Sequence, residues 1–296
     1  MPSGKDTSSL DQIPFTGLMV TATPIGNLGD LTPRAEHALR TADMIACEDT
    51  RHTGKLLARL GITTKMISYH DHSGGHVLKG ILSALNDGKT IVLVSDAGTP
   101  LISDPGFQLV AACRANGIPV TSLPGASASL AALAASGLPT DQFYFAGFLP
   151  QSSKKKKDQL QALMTIPVTT VFYESPKRLM ATLEIMSELY PNRDAVIGRE
   201  LTKLHESFYH GTVQSLINDL NGIELKGELV LMLGPLVTNT TFDDAQVIQA
   251  LQEALGHGLT TKDAVSYVTA IAGRAKKDVY GIALKLKDSE DHDMDK

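Results

Sequence analysis

The chain contains no tryptophan and only two cysteines among its 296 residues. Cys47 and Cys113 lie far apart and without the spacing of metal ligands, so we expect neither a disulfide framework nor a metal site. Such sparing use of cysteine is typical of a reducing cytoplasm. No run of about 18 apolar residues occurs, which excludes a transmembrane helix. Met1–Gln12 also lacks the apolar segment of a secretory signal, so we expect a cytoplasmic protein.

A general excess of positive charge is also missing. The formal net charge is −5, and the tail over Asp288–Lys296 carries five acidic residues and one lysine, so the rest of the chain is close to neutral. Any contact with nucleic acid must therefore depend on local basic patches. Residues 260–287 offer such a patch, with six basic and two acidic side chains. We expect this segment to track an RNA backbone, although an ordinary amphipathic bundle has the same pattern.

Short apolar runs alternate with amphipathic segments in the first half of the chain. This rhythm predicts a largely parallel β-sheet that is covered by helices. The predicted strands are Leu18–Ala22, Met44–Cys47, Lys65–Tyr69, Thr90–Val94 and Pro119–Ser122. The predicted helices are Pro33–Thr41, Thr53–Leu60, Val77–Asn86 and Phe107–Asn116. We assign residues 1–16 to a disordered N-terminus and residues 17–148 to an N-terminal α/β lobe.

The composition changes after a further strand at Phe143–Gly147. Leu149–Lys157 contains a proline, two serines and four consecutive lysines, and we interpret it as a linker whose lysines form either a solvated face or a phosphate-binding patch. The later strands lie closer together, so residues 149–240 are predicted to form a second, α+β lobe with a mixed sheet. Residues 241–287 are predicted to form a small helical module of the helix-turn-helix type, followed by a disordered acidic tail over 288–296. The elements predicted in the second lobe are Val168–Tyr173, Lys177–Leu189, Asp194–Ile197, Glu206–Gly211 and Glu228–Leu233.

The most informative segment is the loop from Val94 to Gly106, which follows a strand and precedes a helix. In an α/β sheet this is the carboxyl edge, where ligands bind. Gly98 allows the backbone to approach a ligand closely, and Pro100 stiffens the loop. The alternative is a plain glycine- and proline-rich turn in which Asp104 caps the next helix. The loop has neither the G-x-G-x-x-G pattern nor a P-loop lysine, so it predicts neither dinucleotide nor triphosphate binding.

Two more loops follow predicted strands in the same way, over Ala22–Asp30 and Leu123–Ser129. Their small residues allow a ligand to lie against the backbone. Close packing of helices on the sheet explains small residues equally well, and for Ala131–Ala135 we favour that explanation. Together the three loops predict a ligand site at one edge of the first sheet.

Besides these patterns, the sequence contains an ordered set of motifs that resembles the motifs of a known protein family. The set comprises T-P-I-G-N-L-G-D from Thr23, A-C-E-D-T-R from Ala46, H-D-H from His70, S-D-A-G-T-P-L-I-S-D-P-G from Ser95, L-P-G-A-S-A from Leu123, G-F-L-P from Gly147, F-Y-E-S-P from Phe172 and R-E-L-T-K from Arg199. It resembles the ribosomal small-subunit RNA methyltransferase I family, the RNA-modifying branch of the tetrapyrrole methylases. The resemblance implies two α/β lobes with S-adenosylmethionine in the cleft between them, and a homodimer. It also implies methyl transfer to a cytidine 2′-hydroxyl in the decoding region of 16S rRNA, with the 30S subunit as the expected partner.

The resemblance also assigns residues to the cofactor site. These are Pro24, Asp96, Ala97, Gly98, Thr99, Pro100, Ile102, Pro124, Gly125 and Ala126 in the first lobe, and Tyr173 in the second. The implied reaction requires no metal.

A ribose 2′-hydroxyl is a weak nucleophile, so its methylation benefits from a general base or from a cation that stabilises the alkoxide. Charged residues just beyond strand ends of both lobes are the candidates, because such positions can converge on a cleft. We assign the following residues to the acceptor side: Glu48, Asp49, Arg51, Glu174, Arg199 and Glu200. For the segment Glu48–Arg51 the alternative is a helix cap with an ion pair.

Two other functions remain open from the sequence. The first is methylation of a porphyrinoid or of a modified protein side chain by the same fold. The basic helical module and the T-P-I-G-N and F-Y-E-S-P motifs favour the RNA branch instead. The second is a non-enzymatic nucleic-acid-binding protein, which methyl transfer to ribosomal subunits would exclude.

Overall fold

The computed structural model describes residues 15–70, 75–163, 167–235, 242–256 and 258–293. The chain divides into two compact units, Met1–Pro235 and Leu236–Lys296. Almost all of the predicted disordered segment 1–16 lies outside the described residues, as do Asp71 and His72 of the H-D-H motif. Within the described ranges, no helix combines the length and the apolar character that crossing a membrane requires.

Five strands of the first unit form a parallel sheet, as the sequence predicts. They are β1 (Leu18–Thr21), β2 (Met44–Cys47), β3 (Met66–Ser68), β4 (Ile91–Val94) and β5 (Val120–Leu123). Their spatial order is β3-β2-β4-β1-β5, and every pairing is parallel. The connecting helices are α1 (Pro33–Thr41), α2 (Thr50–Leu60), α3 (Gly75–Asn86), α4 (Phe107–Ala115) and α5 (Ala128–Ala135). β4 is apolar and buried along its whole length, which is typical of a central parallel strand.

The second sheet is mixed, which confirms the other half of the predicted fold. Its strands are β6 (Phe143–Phe148), β7 (Thr169–Glu174), β8 (Asp194–Arg199), β9 (Ser207–Thr212) and β10 (Leu229–Leu233). They lie in the order β6-β7-β10-β8-β9, where β6 and β7 pair in parallel and the other pairs are antiparallel. Helices α6 (Ser153–Leu163), α7 (Pro176–Leu189) and α8 (Val213–Leu220) accompany this sheet. The largest fully buried side chain of its core is Phe172.

Local signals set the helix ends near their predicted positions. The Thr32 hydroxyl accepts a hydrogen bond from the Ala35 amide at 3.2 Å, and Pro33 occupies the first turn of α1. Helix α2 ends at Gly61, whose φ of 62° suits glycine. Helix α2 begins at Thr50, three residues before the predicted start, because Asp49 supplies the N-cap.

The structure corrects two predictions. Leu149–Lys157 is not an extended linker, because α6 begins at Ser153 and packs Leu160 and Leu163 into the second core. The helix is amphipathic, but its four consecutive lysines conceal this in the sequence, because one of them, Lys156, lies on the buried face with the leucines. The acidic tail is also helical through Asp293. Its helix propagates from the preceding turns, and neither proline nor glycine interrupts it after Gly281.

The second unit is a helical module, as its sequence pattern indicates. Its helices are α9 (Asp244–Gly256), α10 (Thr261–Ala272) and α11 (Lys276–Asp293). Val247, Leu251, Val268 and Val279 are fully buried in a core of its own. The turn between α10 and α11 contains Gly273 with a φ of 60°.

Candidate functional site

The three loops that the sequence singles out meet at the carboxyl edge of the first sheet. They follow β4, β1 and β5, which are adjacent strands in the observed order. Thr23 and Gly98 exchange two backbone hydrogen bonds of 2.9 and 3.0 Å. The Thr99 hydroxyl donates to the carbonyl of Ala126 at 3.0 Å. These bonds join the three loops into one ligand-sized platform.

A cavity of about 360 Å³ opens above this platform, and we call it the acidic cavity because its lining includes four carboxylates and no basic side chain among the described residues. The second sheet closes its far side. It is lined by Ile25, Asp96, Ala97, Gly98, Thr99, Ile102, Ser103, Asp104, Ser127, Ala128, Phe148, Tyr173, Glu174, Ser175, Pro176, Gly227, Glu228, Leu229 and Val230. A volume of this size is typical of a small-molecule site.

Six of the eleven residues assigned to the cofactor line the acidic cavity: Asp96, Ala97, Gly98, Thr99, Ile102 and Tyr173. Pro24 lines the neighbouring cavity described below. Pro100 is buried, and a Cβ added to Gly125 would lie 2.8 Å from Cβ of Ala22. Pro100, Pro124, Gly125 and Ala126 are absent from the lining of both cavities. At Gly125 the small residue therefore serves close packing on the sheet, which was the alternative explanation.

Backbone strain is concentrated in the two loops that flank the cavity. The non-glycine residues with positive φ in the described chain are Leu101 (72°), Ser103 (65°), Glu200 (50°) and Thr202 (65°). Each such conformation costs on the order of 1–3 kcal/mol and persists only where the surrounding structure enforces it. Strained residues of this kind occur preferentially at ligand sites, which supports a functional role for both loops.

Aromatic side chains form the wall that the second sheet contributes. The Tyr173 ring makes edge contacts with Phe145 at 5.0 Å and with Phe148 at 5.4 Å between centroids. Burial raises the pKa of the Tyr173 phenol. Phe148, which the sequence analysis did not select, remains 59% exposed at the rim. The sequence signal that could have identified Phe148 as a site residue is its place in the G-F-L-P motif.

Asp96 and Asp104 line the opposite wall, and Glu48, which lines neither cavity, interacts with both through its charge. Burial raises the pKa of Asp104 to about 6, and the nearby charges of Glu48 and Asp96 add to this effect. Burial also raises the pKa of Glu48, again with a contribution from Asp96. Of the four carboxylates in the lining, Glu174 and Glu228 are paired with cations of the protein, which leaves Asp96 and Asp104 to stabilise a positively charged ligand.

A second cavity of about 320 Å³ adjoins the first, and we call it the basic cavity. The two cavities share Ile25, Asp96, Ala97 and Glu228 as a common wall. The basic side chains that line the second cavity are His52, Lys55, Arg59 and Lys203. The sequence does not single out these residues as site residues, because basic residues in a helix interior or a loop are usually solvated; only Lys203 stands in a quoted motif, R-E-L-T-K.

The Lys203 side chain packs against Gly26 in the wall of the basic cavity. A Cβ added to Gly26 would lie 2.4 Å from Cγ of Lys203, so only glycine permits this approach. Nζ of Lys203 donates to the carboxylates of Glu200 at 2.8 Å and Glu228 at 3.1 Å. Its charge is therefore neutralised within the protein.

Two of the charged residues assigned to the acceptor side form a helix cap. The Asp49 carboxylate accepts a hydrogen bond from the Arg51 amide at 2.8 Å and pairs with Nη2 of Arg51 at 2.7 Å. The bond with the guanidinium holds the pKa of Asp49 well below its usual range. The Arg51 side chain is 88% exposed. The capping alternative thus describes both residues, and a catalytic role for either stays a prediction.

Glu174 lies at the centre of a buried network. Its side chain has no exposed surface, and its carboxylate accepts hydrogen bonds from the Ser175 amide at 2.8 Å and the Thr182 hydroxyl at 2.7 Å. Nε of Arg178 lies 3.3 Å from the carboxylate, and Nζ of Lys156 lies 3.9 Å from it. This geometry indicates that Glu174 positions the cavity wall.

Arg199 and Glu200 hold the strained loop between β8 and β9. Nε of Arg199 donates to the Lys226 carbonyl at 2.8 Å, and its Nη1 donates to the His205 carbonyl at 3.2 Å. Glu200 accepts from the Glu228 amide at 2.9 Å. The hydrogen bond from Lys203 lowers the pKa of Glu200. Both side chains are therefore engaged in fixing loops beside the shared wall.

Comparisons with known proteins identify the family of the chain. Residues 17–217 match the family model of Tetrapyrrole (Corrin/Porphyrin) Methylases, and residues 241–287 match that of the RsmI C-terminal HTH domain. The chain is 43% identical to a ribosomal RNA small subunit methyltransferase I from a Synechocystis species, over 91% of this chain and 98% of the relative. It is 42% identical to the protein of the same name from Escherichia coli O157:H7, over 90% and 94%.

A solved structure supports the fold. Uroporphyrin-III C-methyl transferase from Thermus thermophilus, crystallised with S-adenyl homocysteine, aligns with a TM-score of 0.52 at 18% identity. The alignment covers 74% of this chain and 97% of that protein. At this level of identity the similarity concerns the architecture alone.

Proposed function

Because the chain belongs to the ribosomal RNA small subunit methyltransferase I family of tetrapyrrole methylases, we propose that it methylates the 2′-oxygen of a cytidine in the decoding region of 16S rRNA. S-adenosylmethionine is the methyl donor. The observation that carries the proposal is the pair of adjoining cavities, one acidic and one basic, with a common wall at Asp96 and Glu228. Such a pair suits a cationic donor and a polyanionic acceptor.

The residues of the acidic cavity fit S-adenosylmethionine. The ligand carries a sulfonium, an ammonium and a carboxylate group and is therefore a cation overall, and Asp96 and Asp104 line the cavity without a basic side chain among its described lining residues. The small residues Ala97, Gly98 and Ala128 leave room for the adenosine along the backbone. The bound donor supplies an electrophilic methyl group.

The protein's part in the reaction is to place the acceptor oxygen in line with that methyl group. Correct placement alone accounts for several kcal/mol of a transfer barrier, up to about 7–11 kcal/mol in favourable cases. Asp96 lies in the common wall and accepts a hydrogen bond from the Asp49 amide at 3.2 Å, so its carboxylate is fixed between the cavities. We assign to Asp96 the task of receiving the hydroxyl proton, and to Glu48, which lines neither cavity, a supporting role through its charge beside Asp96.

The helical module and the apolar surface support the remaining parts of the proposal. Residues 260–287 carry the excess of basic side chains, which suits an RNA acceptor better than a porphyrinoid.

We also propose a cytoplasmic homodimer that acts on the assembled 30S subunit. The support is exposed aromatic surface on the edge strand β6, where Phe143 is 42% and Tyr144 is 43% exposed, and at Phe107, which is 70% exposed.

The function is tested by mapping the product. The protein is incubated with methyl-labelled S-adenosylmethionine and 30S subunits from a strain that lacks the enzyme, with naked 16S rRNA in parallel. We expect label on a ribose 2′-oxygen of one cytidine in the decoding region, and stronger labelling of the subunit. Label on a base or on a ribosomal protein, or none on either substrate, would contradict the proposal.

The affinity for S-adenosylmethionine is expected to rise about ten-fold from pH 5 to pH 7, because the cation prefers ionised Asp104 and the pKa of this group is raised to about 6 in the free protein. The same raised pKa makes Asp104 contribute stability below about pH 4, and this contribution is lost as the pH rises through 6. Calorimetry over this range measures the binding effect. In Asp104→Asn the affinity should be weaker at pH 7 and nearly independent of pH. An equally steep profile in the variant would assign the titration to another group.

A further inference from the structure

One face of α2 is basic and is not neutralised by the protein. His52, Lys55 and Arg59 follow one another at spacings of three and four residues, so they lie on the same side of the helix. All three are exposed, and all three line the basic cavity. No ion pair joins any of them to another residue in the described ranges. Arg51, on the same helix, is instead paired with Asp49.

We infer that this face of α2 holds the phosphates next to the target nucleotide, so that it determines how a single strand of RNA enters the basic cavity. The inference rests on the proposed function and adds to it the element that binds the acceptor strand. His52 and Arg59 are separated by about 10 Å along the helix axis. This distance exceeds the rise of one nucleotide, so the face reaches more than one phosphate.

The charges around the basic cavity indicate that the face of α2, and not Lys203, binds the phosphates. Lys203 is the other cation of the lining, and the carboxylates of Glu200 and Glu228 already satisfy it. A polyanion that enters the cavity therefore meets uncompensated positive charge only on the α2 side among the described lining residues. If an RNA strand binds on that side, its nucleoside lies next to the common wall at Asp96.

The interior of the basic cavity suits a nucleoside. Thr23 is only 3% exposed, and its hydroxyl has no hydrogen-bond partner among the described residues. A buried hydroxyl without a partner is costly, and a ribose or base edge would satisfy it. Ile25, Leu28 and Leu56 provide apolar surface for the face of a base. The cavity thus combines a phosphate-binding rim with an interior for the sugar and base.

The test neutralises two cations of the face. Lys55→Gln/Arg59→Gln is compared with Lys65→Gln/Lys89→Gln, whose exposed lysines precede β3 and β4 and so lie at the opposite edge of the same sheet. Steady-state methylation of 30S subunits gives kcat and KM over a salt series. Fluorescence anisotropy with a single-stranded RNA oligonucleotide measures binding without turnover, and calorimetry measures S-adenosylmethionine affinity.

We expect the α2 variant to raise KM for 30S subunits, and Kd for the oligonucleotide, about ten-fold, and to reduce the slope of log affinity against log salt by about 1.4 for two lost phosphate contacts. Its kcat and cofactor affinity should stay normal, and the control variant should resemble the wild type. Unchanged RNA affinity and salt slope in the α2 variant would overturn the inference, as would a loss of cofactor affinity. If the wild type binds RNA through α2 but methylates no subunit, the inference stands and the proposed function fails.

Discussion

Replacing Gly98 with valine is expected to weaken S-adenosylmethionine binding about 100-fold or more, which is a loss of about 2.8 kcal/mol. Gly98 has a φ of 77°, a conformation that a β-branched residue avoids. Its backbone cannot relax freely, because it exchanges two hydrogen bonds with Thr23. An added Cβ would also lie 3.3 Å from Cγ2 of Ile25, and Ile25 lines both cavities. The larger side chain therefore displaces the cavity wall.

Isothermal titration calorimetry with the purified protein measures this loss, and circular dichroism verifies that the variant is folded. Gly88→Val is the matched control. Gly88 has a similar φ of 81°, but nothing lies within 4 Å of an added Cβ. This variant should lose stability and keep its cofactor affinity. Near-normal affinity in folded Gly98→Val, or an equal loss in Gly88→Val, would remove the loop after β4 from the binding site.

Replacing Lys156 with methionine is expected to lower the free energy of unfolding by about 3 kcal/mol. The lysine side chain is 4% exposed, and its Nζ donates to the Thr182 hydroxyl at 2.7 Å beside the fully buried Glu174 carboxylate. Methionine preserves the apolar volume but leaves that carboxylate with one cationic partner, Arg178. Burial of an incompletely compensated charge is strongly destabilising.

Urea denaturation measures the effect, and the next residue in the chain supplies its control. Lys157 pairs with Glu188 at 2.6 Å, but the two side chains are 44% and 58% exposed. Lys157→Met should therefore cost less than about 1 kcal/mol, because solvent screens such a pair. Equal losses in the two variants would show that the Lys156–Glu174 pair contributes nothing beyond an ordinary surface pair.

The Lys156 network also connects stability to the binding site. Nη2 of Arg178 donates to the carbonyl of Pro150 at 3.0 Å and also to that of Leu149, next to Phe148 at the rim of the acidic cavity. Ser175 and Pro176, which begin α7, line the same cavity. Loss of the network should therefore loosen this wall and weaken cofactor binding in Lys156→Met, but not in Lys157→Met.

The sequence by itself determined the local elements and the edge of the first sheet at which we propose that the cofactor binds. Apolar runs such as Ile91–Val94 form strands because only a sheet covered on both faces buries them completely. Thr32 and Gly61 set helix ends through hydrogen bonds within a few residues of their own positions, and Pro33 does so through its fixed φ. Loops after parallel strands must emerge at a common edge, so the position of Gly98 in the cavity at that edge followed from the chain order.

Only the tertiary structure decided which of the charged residues are free to act. Lys156 and Lys157 are neighbours in a uniform lysine run, yet one is buried against Thr182 and Glu174 and the other lies in solvent. Arg59 likewise acquires its place at a cavity wall only through folding, whereas the pairing of Arg51 with Asp49 is local and the sequence already offered it as an alternative. A charge acquires its role from its desolvation and its partner, and both depend on segments far apart in the chain that folding brings together.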